Sequence, residues 1–460
     1  MCTAIRYTVH KAAVGDMLSV KMINETPLEA WIASKIGVDN QELTRQKIEA
    51  YQLQKLRKTI QLACGRSPFY KNLLKDIADT EITCLSDLQR FPLTSAEDIR
   101  ELSLQFLCVS QNEIGRVVTL DTSGTTGKSK RMYFTPSDQE LTIDFFRQGM
   151  STLVEAGDRV MILLPCERAG SVGDLLAAAL TRLDVWPVRQ GVVRNIPETL
   201  NIMRAEEITS VVGIPVQVLA LARYADVAGI RLCLKSALLS TDHVPAVIVR
   251  EVERLWKCQV FEHYGMTEMG LGGGVQCEAH TGYHLREADL YFEIVDAAGN
   301  TVSEGQDGEI VFTTLTRQGM PLIRYRTGDF SSFIPGSCSC GSVIRRLDRI
   351  TKRKNNQVSI SANQHFDMSD LDENIFALPG VIDFTGSVDN LRKVTQLNIE
   401  VVTVDQSQLI VASVLSKALD AVESIRQARR DGKLRLNVKA MRCDGTLSIG
   451  TPKRKITESV

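Results

Sequence analysis

Between residues 159 and 264 the chain alternates between short apolar runs and amphipathic segments of helical length, and this regularity restricts the fold more than any other feature. The order is RVMILLP, a helix around Asp174–Leu183, a short strand at Val185–Val188, a helix around Glu198–Glu207 and the run SVVGIP. A helix at Val216–Tyr224, the run LCLKSALLS, a helix at Ala246–Trp256 and the strand QVFEHY complete it. Parallel strands need crossovers of about a dozen residues or more, which helices of this length supply. The pattern therefore predicts a mostly parallel sheet covered by helices on both faces. Ligands of such sheets sit beyond the carboxyl ends of the strands, which directs attention to the segment where QVFEHY ends.

Other segments have a different periodicity. From about Glu42 to Cys64 the residues Leu53, Leu56, Ile60 and Ala63 recur at spacings of three and four, predicting a helix with one apolar stripe. After residue 285, LYFEIVD, AAGN and EIVFTTLT alternate with period two around a turn, predicting antiparallel sheet. The polar stretch RITKRKNNQVSISANQ follows Asp348, and beyond it come a helix at Ser369–Leu378, strands near 381–388 and 395–404, a helix near 416–430 and a strand near 434–440. The expected fold is α/β in two domains. Residues 1–347 form a large domain with parallel and antiparallel sheets covered by helices, and residues 348–460 form a small, mobile α+β domain.

A formal net charge of −1, with 44% apolar and 24% charged residues, excludes disordered and fibrous classes. It also argues against nucleic acid or a membrane surface as partner, since both require clustered positive charge. A small molecule is the expected partner. The opening residues MCTAIRYTVHKAAVGD contain no apolar core of signal-peptide length, and no later apolar run reaches membrane-spanning length without a charge. The expected location is the cytoplasm. Eleven scattered cysteines then read as reduced thiols, some of them candidate metal ligands, rather than as a disulfide framework.

The stretch DTSGTTGKSK at 121–130 ends like a nucleotide-binding P-loop, but that pattern needs glycine at 122, where the chain has Thr122. What remains is Gly124, Gly127, the hydroxyls of Thr122, Ser123, Thr125 and Thr126, and Lys128, a set suited to an anion in another geometry. Downstream come HYGMTE at 263–268, YRTGD at 325–329, RRLD at 345–348 and the terminal TPKRKI.

Together and in this order, these motifs resemble the acyl-adenylate-forming superfamily, and within it the phenylacetate-CoA ligase branch, over about residue 45 to the C-terminus. The resemblance implies ATP, Mg²⁺ and coenzyme A as cofactors and a small carboxylic acid, aromatic ones included, as substrate. Residues 122–128 would hold the outer phosphates of ATP. Thr267 would contact the α-phosphate, Glu268 would ligate magnesium, and Asp329 would accept the ribose hydroxyls. His263, Tyr264, Gly265 and Met266 would complete the nucleotide site, with Tyr264 against the adenine, and Arg346 would approach the phosphates. Asp348 falls at the family's hinge. Lys453 is the tail lysine that best fits the adenylation role, with Lys455 as alternative. Such chemistry brings two anions together, and the cations and hydrogen-bond donors named are the groups that it needs.

Two points stay open at this stage. Cys277-Glu-Ala-His280 and Cys338-Ser-Cys340 supply four ligands of the right types for a structural zinc, with His284 able to replace His280 or to line the acyl pocket; metal-free thiols are the other reading. The family continues after RLD with an arginine-glycine pair beside the CoA arm, whereas RITKRKNNQVSISANQ has no glycine, so CoA or another nucleophile could be the acceptor. The acyl pocket is expected along ERAGSVGD at 167–174, VVGIPVQ at 211–217 and LLSTD at 238–242, where Arg168 allows a polar acid. An adenylyltransferase acting on a cofactor hydroxyl, of the deazaflavin-adenylating type, is the alternative enzyme. A nucleotide-binding regulatory protein without turnover is the alternative outside enzymes, and a homodimer is left open.

Overall fold

The structure, a computed structural model, describes residues 23–77, 82–120, 128–353, 358–361, 364–391, 394–404, 412–447 and 454–458. It is the expected α/β fold, with helices, a parallel sheet and further antiparallel sheets. No helix among the described residues is long and apolar enough to cross a membrane. Two compact units divide the chain: the described residues up to Thr152 with His263–Thr351, and Leu153–Glu262 with the described residues from Lys352 onward.

In the first unit, the helix Arg45–Arg66 starts at Thr44, whose hydroxyl accepts from the Lys47 amide at 3.3 Å. Its stripe of Ile48, Leu56, Ile60 and Ala63 is buried, Leu53 being half-buried, and Ser67-Pro68 ends it. The helix Pro136–Met150 opens with a capping box, in which Thr135 and Asp138 exchange bonds of 3.1 Å. Asp138 also accepts from the amides of Gln318 and Gly319 at 3.0 and 3.1 Å, fastening a distant loop to the start of this helix.

Three sheets of this unit frame the site. Arg116–Leu120 and Lys130–Phe134 form an antiparallel hairpin in which Leu120 faces Lys130 at the end where the chain connects the two strands. Leu290–Val295, Gly308–Thr314 and Tyr325–Ser331 form an antiparallel meander, the period-two pattern made real. Gly274–Val275 pairs with the end of Gln259–Tyr264 and with Tyr283–Leu285, which in turn pairs with Arg346–Leu347. One apolar cluster, including Tyr70, Phe106, Met132, Phe292, Phe312 and Tyr325, underlies them.

The second unit holds the parallel sheet, in the order Gln259–Tyr264, Ser236–Leu239, Ser210–Gly213, Arg159–Leu163, Trp186–Arg189. The connecting helices are Val172–Thr181, Ile196–Ala205, Pro215–Val227 and Ala246–Trp256. From residue 364 onward the chain adds a helix at Met368–Ile375 and a four-stranded sheet in the order Leu434–Arg442, Val394–Thr403, Val381–Leu391, Thr457–Glu458. The helix expected near 416–430 is two helices, Ala412–Leu419 and Glu423–Arg430. Leu415 and Leu419 share a face, but Ile425 falls out of the three-and-four period, so one straight helix could not bury all three on one face.

The C-terminal segment shares its core with the βα layer: Leu219, Leu221, Val252 and Trp256 belong to one cluster with Leu371, Ile375, Phe376 and Val381. Arg223, on the helix Pro215–Val227, is 5% exposed and caps the end of Met368–Ile375. Its guanidinium donates to the carbonyls of Phe376 at 2.9 Å and Leu378 at 3.0 Å and to that of Val381, and it pairs with Glu251 at 3.2 Å. In the opposite direction Glu373 accepts from the amides of Ala246 and Val247 at 2.5 and 3.2 Å, at the start of a helix with no side-chain cap of its own. Arg223→Met strands several buried carbonyls at about 1–3 kcal/mol each. It should lower the stability of this unit by about 3 kcal/mol and accelerate amide hydrogen exchange over Met368–Leu378; unchanged exchange there would remove Arg223 from this role.

Candidate active site

The first unit assembles a site from its sheets. Strand Gln259–Tyr264 delivers His263 and Tyr264 to its carboxyl edge, and the chain then makes a tight return through Gly265 and a single helical turn, Thr267–Met269. A Cβ at Gly265 would lie 2.3 Å from the Leu271 carbonyl oxygen and 2.9 Å from His263 Cε1, so only glycine fits. Gly270 closes the turn in the left-handed region, and its carbonyl accepts from Thr142 Oγ1 at 2.9 Å. The Glu268 carbonyl accepts from Arg317 Nη1 at 2.7 Å, and complete desolvation brings that arginine down to about 10.

The carboxylate of Glu268 is 3% exposed and faces two elements. Lys130, from the hairpin, forms an ion pair with it, and Tyr325, from the meander, donates its hydroxyl at 3.2 Å. Lys130 Nζ is 3.4 Å from the same hydroxyl. Burial, and then the charge of Glu268, hold the Tyr325 phenol well above its ordinary value, so it remains a donor. Nearby on the same strand, Asp329 accepts from Tyr264 Oη at 3.1 Å, joining the end of Gln259–Tyr264 to Tyr325–Ser331. Desolvation, and then Arg286, hold His263 down to about 4, so it is neutral at pH 7; its ring lies 6.2 and 6.1 Å from those of Phe145 and Phe146.

Glu268, in the turn after Gln259–Tyr264, is thus bonded to Tyr325, and Asp329, on the strand of Tyr325, is bonded to Tyr264. Arg346 goes elsewhere: its guanidinium donates to the carbonyl and hydroxyl of Thr281 at 3.2 and 3.0 Å and to the Gly336 carbonyl at 3.2 Å. In this structure it holds loops together. Thr122, Ser123, Gly124, Thr125, Thr126, Gly127 and Lys453 lie outside the described residues. Lys128 is exposed and paired with Glu101, whereas Lys130, which the reading of the loop passed over, is turned inward. The signal was strand alternation: Lys130 shares a face with Met132, which is fully buried, while Arg131 points out.

A second constellation lies in the same unit. The ligating atoms of Cys277, His284, Cys338 and Cys340 all fall within 4.8 Å of one another, and all four residues are buried. Cys277 Sγ is 3.8 Å from Cys338 Sγ, and Cys340 Sγ is 3.5 Å from His284 Nε2. A tetrahedral zinc with bonds of about 2.3 Å to sulfur and 2.0 Å to nitrogen has edges of about 3.8 and 3.5 Å. The set fits that ion, and 3.8 Å is far too long for a disulfide. The Ala279 amide donates to Cys277 Sγ at 3.4 Å, the kind of outer bond that orients a metal thiolate. His284, not His280, completes the set, because the pairing of His284 with Arg346 on the neighbouring strand places it beside the cysteine loops. His280 is half-buried in the loop itself, with φ 50°.

Residues 115–316 match the family model of AMP-binding enzymes, a span that includes Lys130, Tyr264 and Glu268. The chain is similar to a phenylacetate-coenzyme A ligase of Thermus thermophilus, 28% identical over 330 residues covering 69% of this chain and 73% of that protein. One from Pseudomonas putida is 25% identical over 395 residues, covering 81% and 87%. Among solved structures, 2-hydroxyisobutyryl-CoA ligase in its postadenylation state shares the fold with a TM-score of 0.75 at 19% identity, over 91% of this chain and 90% of that one. The carboxylates of Glu268 and Asp329, held beside Tyr325 and Tyr264, and these likenesses lead to one conclusion: residues 115–316 are an AMP-binding enzyme segment, and the chain is similar over most of its length to the phenylacetate-CoA ligase branch of the acyl-adenylate-forming superfamily.

Proposed function

We propose that this chain is an AMP-forming acid–thiol ligase that activates a small carboxylic acid, with an aromatic acid as the first candidate. The observation that carries the reading is the buried Glu268 carboxylate with Lys130 and Tyr325 upon it, at the carboxyl edge of a strand in a chain with these likenesses. The similarity to phenylacetate-coenzyme A ligases supports the aryl preference and the choice of CoA as acceptor.

In the first half-reaction a carboxylate oxygen of the acid attacks the α-phosphorus of ATP in line. The bond from that phosphorus to the bridging oxygen breaks, and pyrophosphate leaves. Lys130 supplies positive charge where anions converge, Thr267 a hydroxyl for the α-phosphate, and Asp329 a carboxylate that can accept from both ribose hydroxyls. Tyr264, bonded to Asp329, holds that carboxylate in place. Glu268 offers the hard oxygen that Mg²⁺ prefers, and an ion held by one carboxylate and phosphate oxygens suits a single buried acid. When bound, that ion would neutralise phosphate charge. Lys453 would approach the carboxylate from the small domain, residues 348–460, with the turn at Asp348 between poses. In the second half-reaction the CoA sulfur attacks the acyl carbonyl carbon, the thiol proton is lost and AMP departs. Cys277, His284, Cys338 and Cys340 would hold a structural zinc, a closed four-ligand site with no open position for catalysis.

The reaction is tested by pyrophosphate release over a panel of aryl and short-chain acids, with and without CoA. Release only with an acid, then CoA-dependent AMP formation, is expected; AMP transfer to a cofactor without any carboxylic acid would sink the ligase reading. Lys130→Ala should reduce acid-dependent pyrophosphate release by about 100-fold or more, and Lys128→Ala by less than about threefold. Metal analysis should return about one zinc per chain, lost in His284→Ala and kept in His280→Ala; the reverse pattern would refute the ligand set.

A further inference from the structure

The described part of the tail begins at Arg454, and its surroundings form a receptor for one guanidinium. Arg454 Nη1 pairs with Asp372, and Nη2 donates to the Phe384 carbonyl at 2.6 Å and lies 3.8 Å from Asp383 Oδ1. The guanidinium carbon sits 4.9 Å from the ring centroid of Phe376 and 4.1 Å from that of Phe384, and the side chain is 13% exposed. Asp372 and Asp383 are acids that burial pushes above the ordinary carboxylate range, with Arg454 opposing the push in both. A planar fork fits between two carboxylates and two rings in a way that an ammonium does not.

The backbone is fastened as well. The Arg454 amide donates to Asp242 Oδ2 at 3.0 Å, and Asp242 Oδ1 accepts from Arg353 Nη1 at 3.2 Å. Asp242 follows the strand Ser236–Leu239 at the carboxyl edge of the parallel sheet, and its side chain is 6% exposed. One carboxylate therefore ties together the strand end, the segment after Asp348 and the tail.

We propose that Arg454 is a positioning residue, whose pocket fastens the tail at the carboxyl edge of the parallel sheet so that its covalent neighbour Lys453 can act in adenylation. This rests on the reaction proposed above. A lysine is a point charge on a flexible stem, with about 2 kcal/mol of rotamer entropy. A misplacement of about 1 Å can cost roughly 100-fold in rate. An anchor one residue away limits both at the backbone.

The test separates the half-reactions. ATP–pyrophosphate exchange is measured with an acid that the wild-type protein accepts, and thioester formation is measured from the presynthesised adenylate and CoA. Arg454→Gln should cut the kcat of exchange by about 100-fold with the KM for ATP within about twofold, and leave thioester formation within about twofold. Arg454→Lys, which keeps the charge and carries the test where the glutamine variant does not fold, should recover only part of the exchange. Asp372→Asn, which removes one charge from the Arg454 pocket, should shift exchange in the same direction. Equal losses in both half-reactions, or full exchange in Arg454→Gln, would overturn the proposal while the reading of the reaction stands. Absence of exchange with every acid in the wild-type protein would overturn that reading and this proposal with it.

Discussion

A carboxylate removed from water must be met by charge or donors, or it takes up a proton. Glu268 is the place where this requirement organises the first unit. It is met by Lys130 from the hairpin and Tyr325 from the meander, while its carbonyl is met by Arg317. Elements far apart in sequence are thereby brought to one point at the end of Gln259–Tyr264. The same economy recurs at Asp329, whose partner Tyr264 belongs to that strand. Neither acid stabilises the fold much in isolation, since burying a charge costs nearly what pairing it returns. What the pairs supply is register: a slip of one residue in any contributing strand would turn the partner away.

Much of the layout was legible because period and crossover length are local properties. The helix Ala246–Trp256 was read to the residue, and the strand read at Val185–Val188 lies at Trp186–Arg189. The break between Ala412–Leu419 and Glu423–Arg430 was missed, since no proline or glycine marks it and only the position of Ile425 against a sheet decides it. The site was legible in part. Glu268 and Asp329 stand in motifs whose spacing is distinctive, but Lys130 required asking which side of a strand each lysine faces. Arg346 sits in a distinctive motif, yet its guanidinium is claimed by the carbonyls of Thr281 and Gly336, a competition between partners that spacing does not encode.

The choice of histidine in the cysteine cluster has the same origin. A Cys-x-x-His spacing made His280 the natural ligand, because ligands close in sequence cost little chain entropy to gather. The strand Tyr283–Leu285, however, is rigidly paired on both sides, with Gly274–Val275 and with Arg346–Leu347. A side chain on such a strand is already in place, so His284 meets the cysteines at no further cost in order, and the loop residue does not.

The hairpin has a consequence of a different kind. Arg116–Leu120 and Lys130–Phe134 pair down to Leu120 and Lys130, so the residues between them begin and end at a fixed base. The entropy of closing a loop on such a base grows only with the logarithm of its length, about 0.6 kcal/mol for a doubling. Lys130 takes its station from the strand pairing, so it does not depend on the span between the strands to be placed. The position of this charge and the length of that span are set by separate terms.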